Sequence, residues 1–151
     1  MNRYEMMCSQ IAALAESSDS YIPLLSNASA LIYENMEDLN WAGFYLVKDE
    51  ELLLGPFQGK VACVRIPKGK GVCGTAYEKD ETQRVKDVHC FAGHIACDSA
   101  SNSEIVIPIH SEGKVVGVLD IDSPLFDRFS LEDQEGLELF VRKLEELLKW
   151  E

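Results

Sequence analysis

The stretch that decides the fold is Glu-Ile-Val-Ile-Pro-Ile-His-Ser-Glu-Gly-Lys-Val-Val-Gly-Val-Leu-Asp-Ile, residues 104–121. β-Branched residues dominate both halves of this stretch, and Glu112-Gly113 separates the halves as a turn. The pattern predicts two strands, residues 104–110 and 115–121. Because so short a connection joins antiparallel strands, the surrounding sheet is expected to be antiparallel.

Further strands are expected before this hairpin. Residues 41–47 are aromatic and β-branched, and a charged turn at residues 48–51 connects them to residues 52–57, which indicates another hairpin. Short strands are also predicted at residues 61–66 and 82–85. Residues 86–103 show no clear period, and long ordered loops of this kind often carry function.

Helical periodicity dominates both ends of the chain. Residues 1–39 contain two apolar runs at helical spacing, and Asp19-Ser20 is the expected cap of the second run. A short helix is predicted at residues 72–79. Ser130, with Asp133 three residues later, begins an amphipathic C-terminal helix. The predicted inward residues of that helix are Leu131, Leu137, Phe140, Val141, Leu144 and Leu148.

The order of these elements predicts an α+β class, a central antiparallel sheet flanked by N- and C-terminal helices. The 151 residues fit a single domain, residues 1–151. A domain of this size buries enough surface to fold without a metal or a disulfide. Antiparallel strands beside amphipathic helices are typical of a layered architecture.

The charge of the chain argues against several partners. There are 26 acidic and 14 basic residues, a net charge of −12. Nucleic acids and anionic membrane surfaces are therefore not expected partners, because both need clustered Lys and Arg. No apolar run approaches the ~20 residues of a membrane span, and no signal-peptide pattern is present, so a cytoplasmic location is expected.

Five cysteines stand out in a chain expected in the reducing cytoplasm, where structural disulfides are rare. An odd number leaves at least one thiol unpaired within the chain. Cys97 lies among small and polar residues in His-Ile-Ala-Cys-Asp-Ser-Ala-Ser, and it is the expected reactive thiol. For Cys8, Cys63 and Cys90 the favoured interpretation is a buried small hydrophobe.

Two kinds of binding site are disfavoured. The cysteines and histidines lack the close Cys-x₂₋₄-Cys pairs typical of zinc sites, so no metal is predicted. The residues considered for that site are Cys63, Cys73, Cys90, Cys97, His89 and His94. The glycine-rich residues 68–75 have neither P-loop nor dinucleotide-binding spacing, and they are expected to form a tight turn that begins a helix.

Asp120 and Asp122 share one face of their predicted strand, because side chains two residues apart point the same way. Two neighbouring acids repel unless a cation or a proton lies between them. They are interpreted either as a solvated strand end before the turn at Ser123-Pro124, or as a pocket for an ammonium group or an acid with a raised pKa. The residues alone leave both interpretations open.

Four sequence blocks together resemble a known family. They are NWAGFYL (40–46), LGPFQGKVACVRIPKGKGVCGTAY (54–77), DVHCFAGHIACDSASNSEIVIP (87–108) and GVLDIDSPLFDRFS (117–130). They resemble the free methionine-(R)-sulfoxide reductases, which are single GAF-domain enzymes. The resemblance implies a GAF-like fold and a cytosolic oxidoreductase that reduces free methionine (R)-sulfoxide to methionine. No cofactor is predicted.

The resemblance also implies roles for three cysteines. Cys97 is implied to be the nucleophile that attacks the sulfoxide sulfur and becomes a sulfenic acid. Cys63 is implied to be the resolving thiol that forms a disulfide with Cys97, and Cys73 a third, auxiliary thiol. Thioredoxin is the implied reductant of the disulfide. Cys8 and Cys90 fall outside the family pattern and receive no role.

The substrate pocket is likewise implied by the resemblance. Trp41 and Tyr45 help to form it, whereas the carboxylates contact the sulfoxide or the polar groups of the substrate. These carboxylates are Glu104, Asp120 and Asp122, with catalytic roles for Glu104 and Asp122. The apolar C-terminal helix and the oligomeric state usual in the family favour a homodimer. Two alternatives stay open: a GAF domain that binds a small molecule without turnover, and a redox or metal sensor.

Overall fold

The helices and strands follow the predicted order. The computed structural model of the chain describes residues 1–17, 19–93 and 100–150. Its elements are α1 (Arg3–Ala15), α2 (Tyr21–Asn35), β1 (Trp41–Lys48), β2 (Glu51–Gly59), β3 (Arg65–Pro67), α3 (Gly71–Lys79), β4 (Gln83–Val85), β5 (Ser103–Ser111), β6 (Lys114–Ser123) and α4 (Leu131–Leu147), with a short 3₁₀ turn at Val88–Cys90.

The described strands form one six-stranded sheet in the order β3-β2-β1-β6-β5-β4. Neighbouring strands pair antiparallel, which confirms the predicted α+β class. The hairpin that decided the class pairs β5 with β6 from Ser103–Ser123 to Ser111–Lys114. Glu112 and Gly113 both have positive φ, as the tight turn between these strands requires.

The two faces of the sheet are covered differently. Helices α2 and α4 pack on one face, α1 packs against both of them, and together they form the larger apolar core with residues such as Phe44, Ile107 and Leu119. Helix α3 packs on the other face, with Tyr45, Val106 and Val118. Because side chains alternate along each strand, the same strands supply both cores. The α3 face also carries the acidic residues considered below.

Two details of the sequence prediction are wrong. Of the strand predicted at residues 61–66, only β3 forms, because the Lys60 and Cys63 carbonyls accept hydrogen bonds from side chains of β1 rather than from the main chain of a neighbouring strand. Leu131, predicted to face inward, is 57% exposed. At 100° per residue it lies about 240° around α4 from the buried Leu137, which places it on the solvent side.

Helix α4 begins as predicted, with a capping box. The Asp133 amide donates to Ser130 Oγ at 3.0 Å, and the Ser130 amide donates to Asp133 Oδ2 at 3.0 Å. The Tyr4 hydroxyl of α1 donates to the other oxygen of Asp133, at 2.5 Å. The N-terminal helix is therefore attached to the first turn of the C-terminal helix. Within the described ranges, none of the helices is long and apolar enough to cross a bilayer.

The contact between α1 and α4 depends on Gly136. A Cβ at this position would lie 2.1 Å from Cδ2 of the buried Tyr4 ring. We expect Gly136→Ala to destabilise the fold by about 1–3 kcal/mol through overpacking, although alanine is favoured over glycine in helices by ~1 kcal/mol. Urea unfolding measures the change. In a Tyr4→Ala background the same substitution is expected to be neutral or stabilising, and equal losses in both backgrounds would contradict this explanation.

Candidate functional site

A pocket opens between α3 and the sheet. Counted together with the solvent at its open mouth, it encloses about 540 Å³. The described lining residues combine aromatic and aliphatic groups, three carboxylates, a thiol and a lysine. They are Trp41, Tyr45, Val61, Ala62, Ile66, Lys70, Gly71, Val72, Cys73, Ser101, Glu104, Asp120 and Asp122. The pocket therefore brings together all described residues that the sequence assigned to catalysis or substrate binding, except that Cys63 is only the neighbour of a lining residue.

Strand register brings the three carboxylates together. Glu104 of β5 lies directly opposite Asp122 of β6, and Asp120 lies two residues away on the same face. On its other side β6 pairs with β1, where Trp41 lies opposite Asp122 and Gly43 opposite Asp120. The predicted shared face of the two aspartates is confirmed. Their grouping with Glu104 follows from the pairing of β5 with β6.

Two of the three carboxylates are buried and Asp122 is half-buried, so the interpretation of Asp120 as part of a solvated strand end is wrong. Glu104 is 8% exposed and Asp120 is 5% exposed. Burial, together with the charges of Asp120 and Asp122 and hydrogen bonds to both, raises the pKa of Glu104 well above its usual value. Glu104 therefore holds a proton at pH values where an exposed glutamate is ionised.

Cys73 joins this cluster from the first turn of α3. Its thiol is 4% exposed and donates to Glu104 Oε2 over 3.9 Å. Burial and then the charges of Asp120 and Glu104 raise the pKa of Cys73 well above its usual value. The group is thus a protonated thiol, and a thiol in this state is a poor nucleophile.

The glycine-rich run forms the predicted tight turn and leads into α3. Gly69 and Gly71 have φ of +82° and +63°, and a Cβ on Gly74 would lie 2.6 Å from the Pro67 carbonyl oxygen. This packing places Lys70, the residue before α3, at the pocket. Sequence reasoning did not assign Lys70 to the site. The feature that could have pointed to Lys70 is the basic character of residues 68–75, but this run was compared only with phosphate-binding motifs.

Trp41 and Tyr45 form the aromatic wall of the pocket. They lie four positions apart on β1, so both side chains point to the α3 face. Their ring centroids lie 5.8 Å apart, and Trp41 also stacks on Phe57 at 5.0 Å. Both residues are buried. The wall therefore presents an apolar surface beside the carboxylates, on the same face of the sheet.

The cysteines have different environments. Cys63 is disulfide-bonded and half-buried, so it is not the buried hydrophobe that the sequence favoured. Cys8 is a buried free thiol, as expected, whereas Cys90 is exposed and free, which contradicts the same interpretation for that residue. Cys97 lies outside the described residues, as does His94.

Within the described residues, the cysteines and histidines that were considered as zinc ligands do not form one cluster. Cys63 is in a disulfide, and the His89 ring lies at the surface, 2.8 Å from Asp87 Oδ1. A different set converges: ligand atoms of Cys73, Glu104 and Asp120 lie within 4.8 Å of one another.

Comparison with known proteins assigns this architecture to a family. The GAF domain family matches residues 11–148. Free methionine-R-sulfoxide reductase of Escherichia coli (strain K12) is 57% identical over 136 residues, covering 90% of this chain and 82% of that protein. The chain belongs to the GAF-domain family of free methionine-R-sulfoxide reductases.

Solved structures of this reductase family share the fold throughout. The reduced form of fRMsr from Staphylococcus aureus is 54% identical with a TM-score of 0.92, covering 96% of this chain and 94% of that chain. The reductase of Neisseria meningitidis, solved in complex with its substrate, is 40% identical with a TM-score of 0.92, covering 97% and 88%. The predicted GAF-like fold is confirmed.

Proposed function

We propose that this chain reduces free methionine (R)-sulfoxide to methionine, as the names of its relatives describe for those proteins. The observation that carries the proposal is the buried Glu104, whose pKa is raised beside Asp120 and Asp122 in a pocket with an aromatic wall. A sulfoxide oxygen needs a proton donor when its bond to sulfur breaks, and a carboxylic acid with a raised pKa supplies one near neutral pH.

The pocket also suits the polar ends of a free amino acid. Asp120 and Asp122 are placed to bind an ammonium group, which a methionine within a polypeptide lacks. Lys70 and the N-terminal turn of α3 offer positive charge for a carboxylate on another side of the pocket. Trp41 provides an apolar surface for the methyl group. Selectivity for the free form follows from these contacts.

In the proposed chemical step, the Cys97 sulfur attacks the sulfur of the sulfoxide. The S–S bond formed by this attack breaks again as the oxygen moves from the sulfoxide sulfur to Cys97, so the old S–O bond is lost, methionine leaves reduced by two electrons and Cys97 becomes a sulfenic acid. The proton of the Cys97 thiol ends on the transferred oxygen. Glu104 lends its proton to that oxygen during the transfer and recovers it afterwards.

In the second step, Cys63 attacks the sulfenic acid, giving a disulfide and water. Two observations support this assignment. Cys63 is disulfide-bonded, whereas Cys8, Cys73 and Cys90 are free thiols. Described residues on both sides of Cys97 also lie at the pocket. Before it, the Gly93 carbonyl accepts from the amide of the lining residue Gly71 at 3.1 Å, and after it, Ser101 lines the pocket. An external dithiol, thioredoxin, then reduces the disulfide.

The activity is tested by chromatographic assay of methionine formed from separate substrates with dithiothreitol. The free R epimer is expected to give multiple turnovers, whereas the S epimer and N-acetylmethionine (R)-sulfoxide are expected to give little product. The N-acetyl compound lacks the ammonium group that the aspartates would bind. Binding of the free R epimer without product would support a non-catalytic GAF domain instead.

Replacing Cys63 with serine is expected to separate the two steps. Cys63→Ser retains the proposed nucleophile and acid, so about one methionine per subunit is expected in a first turnover, as a sulfenic acid without its resolving thiol is not converted to a disulfide. Recycling by thioredoxin is expected to be strongly reduced. Rapid quench followed by a steady-state assay measures both quantities, and unchanged thioredoxin-dependent turnover would remove Cys63 from the mechanism.

Metal binding is a second candidate, favoured by the convergence of Cys73, Glu104 and Asp120. Against it, Cys73 and Glu104 both have raised pKa values, and each must lose a proton to bind a metal. Metal analysis of the purified, reduced protein distinguishes the two candidates. Stoichiometric zinc would contradict the proposed reductase activity.

The proposed homodimer is tested separately by light scattering at several protein concentrations.

A further inference from the structure

A short segment without a strand, residues 60–64, carries Cys63 past the pocket. It connects the end of β2 at Gly59 to the start of β3 at Arg65. Val61 is 88% exposed and Val64 is 61% exposed, whereas Ala62 and Cys63 are partly buried where they pack on the apolar core under α3. Apolar contacts therefore hold this segment only in part, and hydrogen bonds to its main chain also determine where Cys63 lies.

Two side chains of β1 hold this segment by its carbonyl groups. The Tyr45 hydroxyl donates to the Cys63 carbonyl oxygen at 2.9 Å, and the Trp41 indole Nε1–H donates to the Lys60 carbonyl oxygen at 3.1 Å. One bond thus reaches the residue that carries the thiol, and the other reaches the beginning of the segment. A third bond, from the Leu54 amide to the Val64 carbonyl at 2.9 Å, ties the far end to β2.

The two donors are rigid. Both rings are buried, and they stack at 5.8 Å between centroids. Burial, followed by the charge of Asp120, raises the pKa of Tyr45, so its hydroxyl stays a hydrogen-bond donor throughout the physiological range. Gly59 allows the main chain of β2 to pass close to the Trp41 ring, because a Cβ on Gly59 would lie 2.7 Å from Cδ1 of Trp41.

We propose that Tyr45 and Trp41 are positioning residues for Cys63, in addition to forming the wall of the substrate pocket. This inference rests on the proposed function, since Cys63 must reach a sulfenic acid on Cys97. In that step the Cys63 sulfur bonds to the Cys97 sulfur and the S–O bond breaks. The hydroxide leaves as water with the proton of the Cys63 thiol. Holding the Cys63 main chain raises the effective concentration of its thiol at the pocket.

The consequence is that these aromatic residues affect the second step more than the first. Tyr45→Phe keeps the ring and removes only the hydroxyl that donates to the Cys63 carbonyl. The rate of disulfide formation divided by the rate of methionine release is expected to fall about tenfold, which corresponds to ~1.4 kcal/mol and is the size of one good hydrogen bond. Trp41→Phe removes the other donor and is expected to lower the same ratio.

Rapid quench of the whole protein with one equivalent of free methionine (R)-sulfoxide provides both rates. Methionine is measured by chromatography and the Cys63 disulfide by mass spectrometry, with dimedone trapping of the sulfenic acid. In Tyr45→Phe, trapping is expected to increase. Tyr77→Phe is the matched control, because Tyr77 packs in the same apolar cluster but does not line the pocket, and its ratio is expected to stay unchanged. An unchanged ratio in Tyr45→Phe, or an equal loss in both steps, would overturn the inference.

A second measurement separates this inference from the proposed function. The equilibrium between thiols and the Cys63 disulfide is titrated against glutathione buffers without any substrate. If the Tyr45 bond positions Cys63, Tyr45→Phe is expected to make this disulfide about tenfold easier to reduce, and Tyr77→Phe is expected to match the wild type. A wild type that releases no methionine would disprove the reductase activity alone. An unchanged titration in Tyr45→Phe would disprove the positioning role.

Discussion

Replacing Cys97 with serine is expected to abolish methionine formation, with a loss of at least about 1,000-fold in the first turnover. A serine hydroxyl is a far weaker nucleophile than a thiol and does not form a sulfenic acid. The assay is a single-turnover measurement of methionine from the free R epimer. It excludes recycling, so the result concerns the oxygen transfer alone.

The matched control for Cys97→Ser is Cys90→Ser. Cys90 is a free, exposed thiol that hydrogen-bonds to Asp87 and is absent from the described pocket lining. Cys90→Ser is expected to retain wild-type turnover. If Cys97→Ser still released one methionine per subunit while Cys90→Ser released none, the nucleophile would be Cys90 and the family-derived assignment would be wrong.

The second large effect is expected for Glu104→Gln. The amide keeps the shape of the side chain but has no acidic proton to give to the sulfoxide oxygen. The first-order rate of the chemical step is expected to fall by about 10²–10⁴, the usual contribution of a general acid. KM is expected to change much less, because binding of the ammonium group is assigned to Asp120 and Asp122. Steady-state kinetics separates the two parameters.

Asp122→Asn is the critical comparison for Glu104→Gln. If Asp122 is the acid, its variant carries the large loss in kcat and Glu104→Gln mainly changes KM. Glu81→Gln, at an exposed position outside the described pocket lining, is expected to leave both parameters unchanged. A loss in affinity alone for Glu104→Gln would show that Glu104 is a ligand contact rather than the proton donor.

The raised pKa of Glu104 also predicts how stability depends on pH. Above the usual glutamate pKa, the unfolded chain has lost this proton while the folded protein keeps it, so folding takes up a proton. The free energy of unfolding therefore falls as pH rises from about 4.5, the usual value, towards the raised pKa. Glu104→Gln is expected to remove this contribution. Urea unfolding of both proteins between acid and neutral pH compares the two slopes.

Local pattern was sufficient to predict most of the secondary structure. The hairpin at residues 104–121 and the capping box at Ser130 depend on neighbours a few residues apart, and both are present. The prediction failed where a distant part of the chain competes for the backbone. Residues 61–63 are not a strand, because donors from β1 take the carbonyls of Lys60 and Cys63.

The candidate site divides in the same way. Alternation along one strand was enough to place Asp120 beside Asp122, but it said nothing of Lys70 or of the contact between Cys73 and Glu104. The latter pair is separated by 31 positions in the chain. Proximity of this kind depends on how α3 packs against β5 and β6, and no local pattern encodes it.

By itself, the sequence determined the α+β class, the antiparallel hairpin and the types of reactive side chain, because these depend on periodicity and residue chemistry. Only the tertiary structure decided that the pKa of Glu104 is raised, since burial beside two other carboxylates disfavours its charge. It also decided that Tyr45 and Trp41 hold the main chain of the Cys63 segment. Both properties require groups that are far apart in the chain to meet in one pocket.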